Sequence, residues 1–109
     1  MKISVEYKIK NSDIEDLLDS ASRGANYWCS SELQYESQTK KALTEKGVVV
    51  TDVESGKEHV LNLAKIQRGI KSMAEKEPES FAQFLSGDYD QSTGDTFLQC
   101  CIFGKTIYS

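Results

Sequence analysis

At 109 residues the chain has room for one domain, spanning 1–109, because a second core would leave both undersized. Hydrophobic residues at 39% and charged residues at 28% are enough to bury a core and exclude global disorder. The formal net charge is −4 and the pI is near 5.0; unaided binding to a DNA or RNA duplex is disfavoured, since that needs a basic face. No apolar run approaches the length of a membrane span. Cys29, Cys100 and Cys101 form an odd set of three with no C-x-x-C spacing. Reduced thiols in a cytosol fit that pattern better than a secreted disulfide framework.

In chain order, Ile3, Val5, Tyr7 and Ile9 alternate with Lys2, Ser4, Glu6, Lys8 and Lys10. The alternation predicts a half-buried strand and is unlike a signal peptide. Ser12 with Glu15 then forms a candidate capping box. Ile14, Leu17, Leu18 and Ala21 fall on one helical stripe behind it, and Gly24 is placed to stop the helix at a positive φ. Trp28 to Ser37 reads as strand, with Leu33 and Tyr35 alternating with Glu32, Gln34 and Glu36, and a turn or short helix follows to Lys46.

Val48, Val49, Val50 and Val53, the polar turn Glu54-Ser55-Gly56-Lys57, and the return through Val60 and Leu61 predict a hairpin. Asn62 opens a helix with the stripe Leu63, Ile66, Ile70 and Met73. Gly69 inside it implies close packing against a strand or ring, because glycine there costs about 1 kcal/mol relative to alanine. Pro78 suits the first turn of another helix carrying Phe81, Phe84 and Leu85. After a polar loop from Gly87 to Gly94, Ser92 with Asp95 forms a second candidate capping box. Phe97, Leu98, Cys101 and Ile102 share a face of the following helix, Gly104 ends it, and Thr106 to Tyr108 reads as a closing strand. Cys100 and Cys101 are expected as small buried helix residues. The predicted fold is α+β: a mostly antiparallel sheet of about four or five strands with three to four helices on one face.

The chemistry-bearing residues form no catalytic or metal signature. The loop Asp88-Tyr89-Asp90 begins like a calcium loop, but its sixth and twelfth positions hold Thr93 and Gln99 where glycine and a bidentate glutamate are needed. His59 is the only histidine, and a zinc site with Cys29 or Cys100 requires the fold to join them. Neither a phosphate-binding glycine loop nor a strained nucleophile turn is present. No metal, no cofactor and no enzyme activity are therefore expected.

What stands out is the pair Tyr27-Trp28, directly after the first helix, and the set Asp95, Gln99 and Phe103 along one side of the last. Two readings of Trp28 stay open: a core ring at a helix–strand junction, or an anchor at a ligand pocket or protein interface. Asp95 and Gln99 could serve the cap, orient the Trp28 N–H, or orient a ligand. Tyr27, Trp28, Asp95, Gln99 and Phe103 are thus the candidate binding residues.

Gly24-x-x-Tyr27-Trp28, the strand after Gly47 with Asp52-x-Glu54, Gly69-Ile70, and Asp95-x-x-x-Gln99-x-x-x-Phe103-Gly104 with Tyr108 together resemble a family of small hypothetical proteins of tailed bacteriophages, over roughly residues 12 to 108. The resemblance implies a phage accessory protein at work in the host bacterial cytoplasm, and it carries no activity or catalytic residue with it. Small size, acidity and the lack of a catalytic cluster lead to the expectation of a binding protein that inhibits or modulates a host protein, an anti-phage defence complex being the target class. The alternative is a small-molecule binder that sequesters a nucleotide second messenger at the aromatic and polar set, with a homodimer compatible with either.

Overall fold

The computed structural model describes residues 1–3 and 6–109. Among them run α1 (Asn11–Gly24), β1 (Cys29–Ser30), α2 (Glu36–Ala42), β2 (Val48–Asp52), β3 (Glu58–Leu61), α3 (Leu63–Lys76), α4 (Pro78–Ser86) and α5 (Gln91–Phe103). The class is α+β. The described residues form a three-stranded antiparallel sheet in the order β1-β2-β3, where four or five strands were expected, and five helices where three or four were.

Two expected strands do not form among the described residues, and a third is shortened. Met1–Ile3 and Glu6–Lys10 lie in no strand, while Ser4 and Val5, also part of that expectation, lie outside the described residues. Alternation specifies a strand only where a sheet edge receives it. Here the Tyr7 ring instead stands edge-on to Phe81, with centroids 5.4 Å apart, and Ile9 packs against the core. Of Trp28 to Ser37 only Cys29 and Ser30 pair in the sheet. The chain then turns, Tyr35 N–H donating to the Glu32 carbonyl at 3.0 Å, and Leu33 is buried from within that turn. Thr106 to Tyr108 is also not a strand; its backbone partners belong to a side chain, as the next subsection describes.

The helices follow their apolar stripes. Ile14, Leu17, Leu18 and Ala21 are all buried. Neither expected capping box forms. Lys10 occupies the N-cap of α1 without a side-chain bond, and Glu15 pairs with Lys40 at 3.1 Å instead. At α5 the cap is Asp90, whose Oδ1 accepts from the Ser92 and Thr93 N–H groups at 2.9 and 3.4 Å; Ser92 lies inside the helix, and Asp95 is left for other partners. Asn62 caps α3 through Lys65 N–H at 3.1 Å, and Pro78 starts α4.

α5 is the central element, packed against α1, α3 and α4. Glycine allows two of these approaches. A Cβ on Gly94 would stand 2.5 Å from Ala21 N and 2.8 Å from Ser20 C, both main chain of α1, and one on Gly69 would collide with Cys101 of α5 rather than with a strand or a ring. Gly24 departs from expectation as well. It is the last helical residue, without a positive φ, and its missing side chain makes room for the Gln91 carbonyl. Gly104 does adopt the left-handed conformation, with φ 74°. Its carbonyl accepts from Ser72 Oγ at 2.6 Å and Lys76 Nζ at 2.7 Å, which tie the end of α5 to α3.

The sheet covers this helical layer with one face. Val48, Val50 and Asp52 of β2 point inward with Leu61 of β3, all buried. The other face is open: Val49 sits directly opposite Val60 across the hairpin, and both are about half exposed. All three cysteines are buried and free.

Candidate functional site

The five candidate residues, far apart in the chain, meet at one end of α5. Trp28 is placed by the turn that leaves α1, where its N–H and that of Cys29 donate to the Ala25 carbonyl at 3.1 and 2.9 Å. The Trp28 carbonyl accepts from Val53 N–H at 2.8 Å, which fixes the ring between the sheet and α5. Trp28 is 0% exposed, so the core reading holds for its ring. Tyr27 beside it is 43% exposed.

Asp95 and Gln99, one turn apart on α5, organise the polar side. Asp95 Oδ1 accepts from Trp28 Nε1 at 2.7 Å and from Gln99 Nε2 at 2.9 Å; its Oδ2 accepts from the Tyr27 hydroxyl at 2.6 Å. Burial, then the hydrogen bond to and charge of Asp95, push the Tyr27 phenol up to about 12. Gln99 is itself only 1% exposed. Its carbonyl Oε1 accepts from Ile107 N–H at 2.7 Å and Tyr108 N–H at 2.9 Å, and its Nε2 donates to the Tyr108 carbonyl at 3.2 Å. These neighbours settle the amide's orientation, because a flipped amide would set N–H against N–H. One carboxamide thereby satisfies two consecutive backbone N–H groups and the Tyr108 carbonyl. The backbone bonds of this segment therefore go to a side chain, and it belongs to no sheet.

Phe103 closes the aromatic side. Its ring lies 5.4 Å from Trp28, 5.7 Å from His59 and 5.8 Å from Tyr108, the last two edge-on. The Tyr108 ring stacks on Trp28 at 5.5 Å with 30° between planes. Its hydroxyl donates to Asp52 Oδ2 at 2.7 Å, and that bond, with burial second, pushes the phenol up to about 12. Burial alone would raise the Asp52 carboxyl. Hydrogen bonds from Tyr108, Ser55 and the Glu54 N–H outweigh that effect and hold it below the usual range.

Tyr108, Asp52 and His59 therefore belong to the cluster, although the sequence reading did not place them there. Asp52 carried a usable signal: an acid in phase with Val48 and Val50 on the buried side of a strand. His59 gave none. It is half-buried, its Nε2 has no hydrogen-bond partner, and burial, then nearby Lys65, lowers its pKa.

Chemically, the cluster's polar groups are saturated except for His59 Nε2. Both Asp95 oxygens and both ends of the Gln99 amide are in use. Burial first pushes the Cys29 thiol up to about 12 and that of Cys100 to about 11, which disfavours their thiolates at neutral pH. Among the described residues no group of three or more His, Cys, Asp or Glu side chains is placed to share a metal ion, and no helix is long and apolar enough to cross a membrane. No protein-family model, curated protein or solved structure matches the chain.

Proposed function

We propose that the chain is a non-catalytic binding protein, a phage accessory protein that docks on a host bacterial protein and inhibits or modulates it, with an anti-phage defence complex in the host cytoplasm as the target class. The observation that supports this best is the uncovered face of the sheet. Val49 and Val60 form a cross-strand pair, Val53 continues the outward alternation of β2, and these three are 52%, 43% and 52% exposed. Covering the exposed halves of three valines contributes roughly 2–4 kcal/mol to an association. The net charge of −4 adds complementarity to a basic partner surface, such as the nucleic-acid channel of a defence nuclease.

The test is capture from bacterial lysate by the wild-type chain and by a Val49→Lys/Val60→Glu double variant. Opposite charges facing each other across the hairpin keep the strands paired. A discrete partner held by the wild type and lost by a variant of unchanged melting temperature is the expected result. Equal capture by both removes the sheet face from the reading. A nucleotide that shifts Trp28 fluorescence while no protein is captured would transfer the function to the nucleotide-sequestering alternative.

A further inference from the structure

The segment after Gly104 is held by side chains rather than by the sheet. Lys105, Thr106, Ile107 and Ser109 are exposed. The sheet contributes no backbone bond to Ile107 or Tyr108. Instead three nearly inaccessible side chains grip the segment: Gln99 reads its backbone through two N–H groups and a carbonyl, Asp52 takes its phenol, and Trp28 takes its ring face. These three are 1%, 3% and 0% exposed. Such a grip specifies a backbone that turns two consecutive N–H groups to one acceptor, followed by a tyrosine ring, and nothing in it depends on the tyrosine arriving through Gly104. The segment departs from the left-handed Gly104, whose carbonyl stays bonded to Ser72 and Lys76 of α3.

We propose that Trp28, Asp52, Gln99 and Phe103 form a recognition slot for a tyrosine-bearing peptide segment of a partner protein, filled in the resting chain by its own Ile107 and Tyr108. This goes beyond the sheet-face reading and stands independently of it. The strap acts as a tethered competitor. A segment supplied in trans is therefore bound only in proportion to the fraction of chains whose strap is open, so its apparent affinity falls by that fraction. Selectivity comes from Asp52, because a phenylalanine segment would leave that buried carboxylate short of one donor.

The experiment uses the full-length chain with Ile107→Pro/Tyr108→Ala, which removes one backbone donor and the ring from the strap. The pentapeptide Lys-Thr-Ile-Tyr-Ser is titrated against Trp28 fluorescence, with versions carrying Phe or Ala for Tyr. The double variant is expected to bind the tyrosine peptide at least about tenfold more tightly than the wild type. The Phe version should bind roughly tenfold more weakly than the Tyr version, and the Ala version should give no response. A folded variant that ignores the tyrosine peptide, or binds the Ala version equally well, overturns the proposal. A wild-type dimer that the double variant cannot form would also overturn it, because the occupant would then be the strap of a second copy. Should the variant fail to fold, amide hydrogen exchange of the wild type decides. Ile107 and Tyr108 exchanging far faster than Leu98 supports a strap that opens on its own, and equal protection refutes it.

Discussion

Replacing Gln99 with leucine is the most direct probe of the cluster. The two side chains are similar in size, so packing is largely kept while the polar atoms disappear. The loss can be worked bond by bond. Ile107 N–H and Tyr108 N–H lose their shared acceptor, and the Tyr108 carbonyl loses a donor. Asp95 loses one of its three donors, in a charge-assisted bond that sits at the stronger end of the range. At about 1 kcal/mol for each neutral bond and somewhat more for the charged one, the sum approaches 4–5 kcal/mol. The strap, however, is free to lift and find water for its backbone, which returns part of that loss. The expected destabilisation is therefore about 2–4 kcal/mol, a large share of a typical domain's stability. Urea unfolding followed by Trp28 fluorescence measures it, and lifting of the strap should also red-shift native-state emission. A loss under about 0.5 kcal/mol with unchanged emission would refute the view that Gln99 holds the backbone of Ile107 and Tyr108 in place.

Gly94→Ala should be far more damaging than its one carbon suggests. The new Cβ meets the main chain of α1, Ala21 N at 2.5 Å and Ser20 C at 2.8 Å, so relief requires moving a helix; a cost of 3 kcal/mol or more is expected by chemical denaturation. His59 makes stability pH-dependent. Its folded pKa is below the ordinary 6.5, so the unfolded chain binds more protons in that window, and stability present above pH 6.5 falls as pH drops through it. In His59→Leu this slope should vanish from the difference between melts at successive pH values. The three thiols should react with a disulfide reagent slowly in the native chain at pH 7–8 and promptly after denaturation, in line with burial raising each pKa.

The elements legible in the sequence were those whose partners are close in the chain or whose signal is a helix stripe. Ile14, Leu17, Leu18 and Ala21 mark α1, the Val48–Leu61 hairpin carries its own turn, and Asn62, Pro78 and Gly104 act at the helix ends foreseen for them. What was misread depended on distant partners. Ile3, Tyr7 and Ile9 alternate correctly for a strand, but no sheet edge receives the described part of that segment. Asp95 looked like half of a capping box because its alternative partner, the Trp28 N–H, is 67 positions away. The candidate site was legible as a set, since Tyr27, Trp28, Asp95, Gln99 and Phe103 do meet. Its saturation was not legible, because that depends on Ile107 and Tyr108 folding back over Trp28.

That saturation allows the charge of Asp95 to be separated from its shape. Asp95 receives three hydrogen bonds, from Trp28, Gln99 and Tyr27, and no cation pairs with it among the ion pairs of the described residues. In Asp95→Asn the amide oxygen can take the Oδ1 position and keep the Trp28 and Gln99 donors. The amide nitrogen then faces the Tyr27 hydroxyl, which can rotate to accept. All three contacts survive as neutral bonds, and the loss should be limited to the charge assistance, about 1–2 kcal/mol. Asp95→Ala removes every acceptor and leaves the Trp28 N–H, 0% exposed as a residue, without a partner, for which about 3 kcal/mol or more is expected. Measured side by side in urea, a clear gap between the two variants says the carboxylate is there as a three-way acceptor. Equal losses would mean that its charge is what the fold requires, and would send attention back to a cationic ligand at this end of α5.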